Sequence, residues 1–368
     1  MKVLQIGKFH PIRGGVEKVM LDLTLGLSQR GIDCDMLCAN AGEDAEELVL
    51  NPHANLFRTH TVTKLKGTMI SPDMIMTLKR IASDYDIIHL HHPDPMAAFA
   101  LKMSGYAGPV VLHWHSDILR QKLLLQAYRP LQRWIIDRAD LIVTTSEAYL
   151  KGSEWLEHVH EKARALPIGV EEVQKPAVTP ERVLELSEGR KVVFSLGRLV
   201  PYKGYTNLIE AAKYLPDDYR VVIGGSGPLH DELQAQIEAS GLQDKVVLIG
   251  RISEEERNSW FYHAEMFCLP SVIKTEAFGV VLIESMSTGL PLVATNIPGS
   301  GTGWVNEHGV SGLNAEINDP KGLADAILGV SAKREEFARG ARRRWEEWFT
   351  SERMIDGCEA LYRELRGG

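Results

Sequence analysis

Residues 2–31 read KVLQIGKFHPIRGGVEKVMLDLTLGLSQRG. A short apolar run closes on Gly7, a turn carrying Pro11, Gly14 and Gly15 follows, and apolar residues then recur at helical spacing as far as Gly31. The stretch reads as strand, glycine-rich turn, helix. The motif returns in CDMLCAN (34–40), YDIIHLHH (85–92), PVVLHWHS (109–116) and ADLIVTTS (139–146), each an apolar run of strand length set off by helical or loop segments. Strands that alternate with helices imply a parallel sheet covered on both faces.

Over residues 165–183, ALPIGVEEVQKPAVTPERV, periodicity gives way to Pro, Glu and Val, as in a linker. The rhythm restarts with KVVFSLGRLVPYKGYTNLIEAAKYL (191–215), repeats in YRVVIGGSGPLHDELQAQIEASG (219–241), and continues through KVVLIG, MFCLP and PLVATN. Two α/β halves are expected, because 368 residues exceed the roughly 250–300 that one core serves. The tail is helical, and Trp345, Trp348 and Phe349 make an apolar face for a closing helix.

Composition is that of a soluble globular chain, 44% hydrophobic and 24% charged. A net charge of −8 argues against wrapping nucleic acid, and an anionic small molecule held by a few cations stays open. Cys34, Cys38, Cys268 and Cys358 form no CxxC pair and sit among apolar neighbours, which suits buried thiols in a cytoplasmic protein. Neither a leader-like N-terminus nor an apolar run of about 18 residues is found.

In such sheets ligands bind at the carboxyl ends of strands. Arg13, Gly14 and Gly15 stand at one such end, where glycine lets backbone approach a ligand and a helix N-terminus attracts an anion. They form neither a GxGxxG fingerprint nor a Walker A loop. In SLGRLVPYKG, Gly197 and Arg198 follow a strand and Lys203 precedes the next helix; both cations suit a pyrophosphate. GGSGP (224–228) adds Gly225 and Gly227 in another strand-to-helix turn. Within TEAFGVVLIES (275–285) two carboxylates, Glu276 and Glu284, bracket an apolar run. Its periodicity predicts a helix from about Phe278, with Glu276 in the loop before it and Glu284 about one and a half turns in. Each has a plainer reading: a charge at a helix start for Glu276, a surface position for Glu284.

Taken together, Gly14-Gly15, Gly197-Arg198, Lys203-Gly204, GSGP and the E-x7-E spacing of Glu276 and Glu284 resemble the retaining GT-B glycosyltransferases of family 4 over essentially the whole chain. The resemblance implies two Rossmann-like α/β domains with parallel sheets facing across a cleft. Residues 1–167 with a terminal helix at about 350–368 would bind the acceptor, and 185–349 the nucleotide-sugar donor. It further implies that Arg198 and Lys203 hold the donor diphosphate, Glu284 the ribose and Glu276 the sugar hydroxyls. Backbone at Phe278, Gly279 and Val280 would approach sugar and phosphates, Gly15 would let its loop close on the diphosphate, and His115 of LHWHSD would lie beside the transferred sugar. No cofactor beyond a UDP- or GDP-linked donor, and no metal, is expected: no D-x-D motif stands at a strand end, and in HLHHPDP (89–95) alternating side chains on a strand point to opposite faces.

The implied reaction is hexose transfer with retention to a glycan or lipid-linked saccharide, in bacterial surface polysaccharide or lipopolysaccharide synthesis. Residues 118–138, with Arg120, Lys122, Arg129, Arg133 and Arg138 among Leu, Ile, Trp and Tyr, suit peripheral contact with the inner face of the cytoplasmic membrane, or a core helix with a solvated face. Asn296 and Pro298 depart from the acidic residue and glycines usual in relatives. A non-catalytic sugar-nucleotide or glycan-binding protein, or a GT-B epimerase, would share the fold.

Overall fold

A computed structural model describes residues 1–11, 14–40, 42, 44–65, 68–118 and 122–367. The chain divides into two compact units, Met1–Ile168 with Ser351–Gly368, and Gly169–Thr350.

Among the described residues the first unit holds ten strands: β1 (Lys2–His10), β2 (Asp33–Asn40), β3 (Glu46–Asn51), β4 (Ala54–Thr59), β5 (Thr63–Leu65), β6 (Thr68–Ile70), β7 (Ile87–His92), β8 (Val110–Trp114), β9 (Leu141–Thr144) and β10 (Ala163–Ala165). Eight of them form a sheet in the order β10-β9-β8-β7-β1-β2-β4-β3, and β5 pairs β6. Every pairing in the large sheet is parallel except the edge pair β3–β4. β7 and β8 are buried at every position, as runs covered on both faces must be. Strand order reverses at β1, so the crevice for a ligand opens beyond the carboxyl ends of β1 and β7. The helix Pro95–Ser104 begins there, and its Asp94 cap accepts from the Met96 and Ala97 amides.

The terminal helix Ser351–Leu365 belongs to this unit. It lies against the helix Gly15–Gln29, where a Cβ on Gly26 would fall 2.1 Å from Ile355 Cδ1, and Arg30 bonds Asp356 and Glu359. A larger residue at 26 would require the Ile355 side chain to move.

The second unit is a six-stranded sheet, parallel throughout, of β11 (Lys191–Leu196), β12 (Tyr219–Gly224), β13 (Val246–Gly250), β14 (Met266–Leu269), β15 (Leu292–Asn296) and β16 (Gly312–Glu316). Its order is β13-β12-β11-β14-β15-β16, so the reversal falls at β11. Tyr205, Leu208, Val221, Leu233, Ile237 and Ile327 belong to its core. The doubly wound reading of both halves stands.

Two local expectations are corrected. The helix after Glu276 spans Val280–Ser287 rather than starting at Phe278: Gly279 caps it at φ 82°, a left-handed conformation only glycine adopts without strain, and Glu284 lies little more than one turn in. Of the tail aromatics, Trp345 and Phe349 are buried but Trp348 is 48% exposed. Phe349 ends the helix Arg334–Trp348 as its C-cap, and its ring packs on Phe278 and Trp304.

Candidate functional site

In the second unit, the chain leaving β11 runs beside the chain leaving β12. Gly197 and Leu199 amides donate to the Gly224 and Ser226 carbonyls, and the Gly225 amide donates to the Gly250 carbonyl. The glycines follow from that approach: a Cβ on Gly225 would fall 1.8 Å from the Gly197 carbonyl oxygen, and one on Gly227 2.3 Å from that of Leu199. Lys203 comes back beneath this layer, its Nζ 3.3 Å from where a Gly197 Cβ would stand.

Lys203 Nζ pairs with Glu276 Oε2 at 2.6 Å, and both side chains are only about a tenth exposed. Ser271 Oγ donates to the same carboxylate oxygen at 2.9 Å. The Ser300 hydroxyl bonds the Glu276 carbonyl, and the Gly301 amide the Ala277 carbonyl, which fixes the loop before Gly279. Thus residues just past Pro298 brace the Glu276 loop, while Asn296 is engaged with Glu316.

Arg198 is exposed, its Nη2 3.4 Å from the Tyr202 hydroxyl. It lines a recess of about 300 Å³ with Gly197, Gly225, Arg251, Glu254 and Arg257. Arg257 Nη1 lies 3.6 Å from Glu284 Oε1, so Glu284 stands behind one residue of the lining. So Gly197, Arg198, Lys203, Gly225, Gly227, Glu276, Phe278, Gly279, Val280 and Glu284 gather at the carboxyl ends of β11, β12 and β14, beside the point where strand order reverses. Ser271, Ser300 and Arg257 were not foreseen; a lone serine or arginine outside a motif carries no spacing signal.

In the first unit, Gly14 is the extended cap of the helix that Gly15 begins, and a Cβ on Gly14 would meet the Glu17 carboxylate at 2.7 Å. Arg13 lies outside the described residues. His115 follows β8 directly and is 4% exposed, its amide donating to the His92 carbonyl. Its ring stacks on His113 and meets that of His91 edge to edge in nearly the same plane, and both of those stack on His89. The expectation that HLHH alternates between faces holds only for His92, whose ring lies on Trp114 at 3.7 Å. His89 and His91, two apart, share a face, and the pairing of His91 with His113 across β7 and β8 completes the stack. Burial lowers the pKa of all four, that of His113 to about 3, so they are neutral imidazoles.

Ring nitrogens of His89, His91 and His113 lie within 4.8 Å of one another, the donor set of a metal ion. Their planes, however, are only 11 to 27° from parallel, so the in-plane lone pairs run side by side, and an ion would require the rings to turn. Beside them the half-buried Lys8, at φ 56°, donates from its amide to Asp94 and from Nζ to the Pro93 carbonyl. Desolvation lowers the pKa of Lys8 and raises that of Asp94.

The helix Lys122–Arg138 turns Ile135, Ile136 and Tyr128 inward, leaves Arg129 and Arg133 exposed, and engages Arg138 with the Tyr106 and Gly108 carbonyls. Exposed arginines opposite buried apolar side chains suit either reading of the stretch, of which residues 119–121 lie outside the described residues. Among the described residues no helix is long and apolar enough to cross a membrane. The four cysteines are free and buried.

Residues 180–347 match the model of glycosyl transferases group 1, and residues 13–172 that of glycosyltransferase family 4. The O-antigen chain mannosyltransferase C of Escherichia coli is 31% identical, over 99% of each chain. The D-rhamnosyltransferase WbpZ of Pseudomonas aeruginosa is 31% identical over 92% of this chain and 89% of the relative. Among solved structures, the sucrose-phosphate synthase of Thermosynechococcus elongatus superposes with a TM-score of 0.83 at 20% identity, covering 99% of each chain. Anabaena HepE in complex with UDP and glucose gives 0.75 at 19%, over 99% of this chain and 100% of that one.

Proposed function

From the premise that this chain belongs to the GT-B glycosyltransferases of family 4, we propose that it moves a hexose, with retention, from a nucleotide-sugar to a hydroxyl of a growing surface polysaccharide. The observation that carries the reading is the Lys203–Glu276 pair, 2.6 Å apart under glycine-lined strand ends, with Arg198 and Arg257 on the adjoining recess and Glu284 paired to Arg257. Lys203 and Arg198 bind the diphosphate of a UDP- or GDP-linked donor, without need of a metal. Glu284 takes the ribose hydroxyls and Glu276 the hydroxyls of the sugar. The Gly279 turn leaves the amides at the start of the helix Val280–Ser287 open to the phosphates.

In the transfer, the bond from the anomeric carbon to the phosphate oxygen breaks and one from that carbon to the acceptor oxygen forms on the same face. The acceptor's proton passes to the departing phosphate. Negative charge builds on the diphosphate as the bond opens, and two cations held in place before the reaction stabilise it without reorganisation. Glu276 and Glu284 are therefore not the acid and base of a hydrolase, which must flank one glycosidic bond. His115 is assigned to the transferred sugar, and Gly15 to the loop over the diphosphate. The acceptor is a glycan or lipid-linked saccharide met at the cytoplasmic face of the membrane; the O-antigen and rhamnosyl relatives support a place in surface polysaccharide synthesis.

Thermal-shift titration with UDP, GDP, ADP and their sugar conjugates tests the reading, beside Glu284→Ala and Arg198→Ala. One nucleotide family should stabilise the wild type and neither variant. Should no nucleotide shift the wild type, or should both variants bind as well as it does, the donor site is wrong and a glycan-binding role takes its place.

A further inference from the structure

His115 stands at one end of a buried chain of hydrogen bonds. His115 Nε2 and His91 Nδ1 are 2.9 Å apart, His91 Nε2 is 2.7 Å from Gln5 Oε1, and Gln5 Nε2 donates to the Tyr362 hydroxyl at 2.9 Å. The second Gln5 amide hydrogen reaches Cys34 Sγ at 3.7 Å, and the Tyr362 hydroxyl bonds His89 Nδ1. Gln5, His89, His91 and Tyr362 are wholly buried, and Tyr362 comes from the terminal helix.

The direction of the protons follows from the chemistry of these groups. A neutral imidazole carries one N–H and one lone pair, while an amide oxygen only accepts. His91 must therefore donate from Nε2 to Gln5, which leaves its Nδ1 bare, and His115 must donate to it from Nε2. The Nδ1 of His115 is then a lone pair, and that atom is buried with no partner among the described residues. Turning the Gln5 amide over would reverse every step, but of the two amide hydrogens, now given one each to Tyr362 and Cys34, one would be left buried without a partner among the described residues, at a cost the present orientation avoids.

We propose that Gln5, held by Tyr362, is a positioning residue that fixes His115 as its Nε2–H tautomer, so that Nδ1 remains a bare acceptor for a sugar hydroxyl. Such an acceptor selects a ligand carrying a hydroxyl at that point, because an analogue without it leaves the lone pair buried and unpaired. The selectivity rests on the reading that His115 meets the sugar; the tautomer does not.

Two-bond proton–nitrogen correlation spectra of the full chain with 15N-labelled histidine read the tautomers without any ligand. His115 and His91 should both be protonated on Nε2. In Gln5→Leu and in Tyr362→Phe, His115 should become a mixture of tautomers, the exposed His53 and His308 keeping their wild-type signals as a check on folding. Wild-type His115 protonated on Nδ1 overturns the proposal even if neither variant folds; so does an unchanged tautomer in folded Gln5→Leu. Transfer assays separate the two readings. With the tautomer lost, kcat/KM should fall about tenfold. Unchanged turnover in that variant would instead remove His115 from beside the sugar and leave the tautomer control standing.

Discussion

Lys203 Nζ lies 2.6 Å from Glu276 Oε2, with both side chains largely withdrawn from water. The ammonium assigned to the donor diphosphate is thus already matched to the carboxylate assigned to the sugar. Removing either partner strands the other charge in a poorly solvated place, at about 3 kcal/mol, whereas removing both does not. Lys203→Met should lower stability in urea by that order and Lys203→Met/Glu276→Gln by clearly less, while all such variants lose transfer. Equal destabilisation by the double variant would mean that the pair is not coupled.

Glycine at 225 and 227 is demanded by backbone rather than by a flexible side chain, since a Cβ there would strike the carbonyls of Gly197 and Leu199. Gly225→Ala should therefore cost about 2–4 kcal/mol and abolish nucleotide binding. Gly241→Ala makes the control: its φ of 65° is also left-handed, but no atom lies within 4 Å of the added carbon, so about 1 kcal/mol and unchanged binding are expected. Thermal unfolding with and without nucleotide distinguishes the two.

What could be read in advance followed from local rules. The strands β1, β2, β7, β8, β9 and β11 to β15 are each a short apolar run before a turn, and E-x7-E lies within one continuous segment. The edge strand β3, its neighbour β4, the hairpin β5–β6, and the edge strands β10 and β16 carried no such mark: no position of β3 is buried, and its pairing is a tertiary matter. The histidine stack was legible in principle, because HLH and HWH each repeat at the two-residue period of a strand, which puts each pair on one face. That β7 and β8 are neighbours in register, so that the pairs meet, is set by the sheet order. Gln5 and Tyr362, 357 residues apart, could be joined only by the fold.

Arg257 Nη1 stands 3.6 Å from Glu284 Oε1, both about a quarter exposed, and Arg257 is also bonded to Glu254 and Asn258. At this exposure the pair adds less than about 1 kcal/mol to stability. Under the proposed function, its use is to aim a carboxylate assigned to two ribose hydroxyls. Arg257→Ala should leave the melting temperature nearly unchanged and raise the donor KM about three- to tenfold with kcat kept; Glu284→Ala should do more. Loss of kcat at constant KM would place Arg257 elsewhere in the reaction.

The first unit should be acid-labile. His89, His91, His92, His113 and His115 all have pKa values below the usual value for histidine because burial disfavours the imidazolium. In the unfolded chain they titrate near 6.5, so below that pH the unfolded state binds more protons than the folded one. Stability is therefore full above about pH 7 and falls as the medium is acidified, each histidine contributing about 1.4 kcal/mol per pH unit until its folded pKa is reached, about 3 for His113. Asp94, raised by burial, works in the opposite sense, but it is one group against five. Urea denaturation followed by amide protection in β7 and β8 should show stability dropping steeply between about pH 6.5 and pH 5, and His113→Leu should flatten that slope by about 1.4 kcal/mol per unit. A stability independent of pH over that window would mean that the imidazoles are solvated and that the stack does not exist as described.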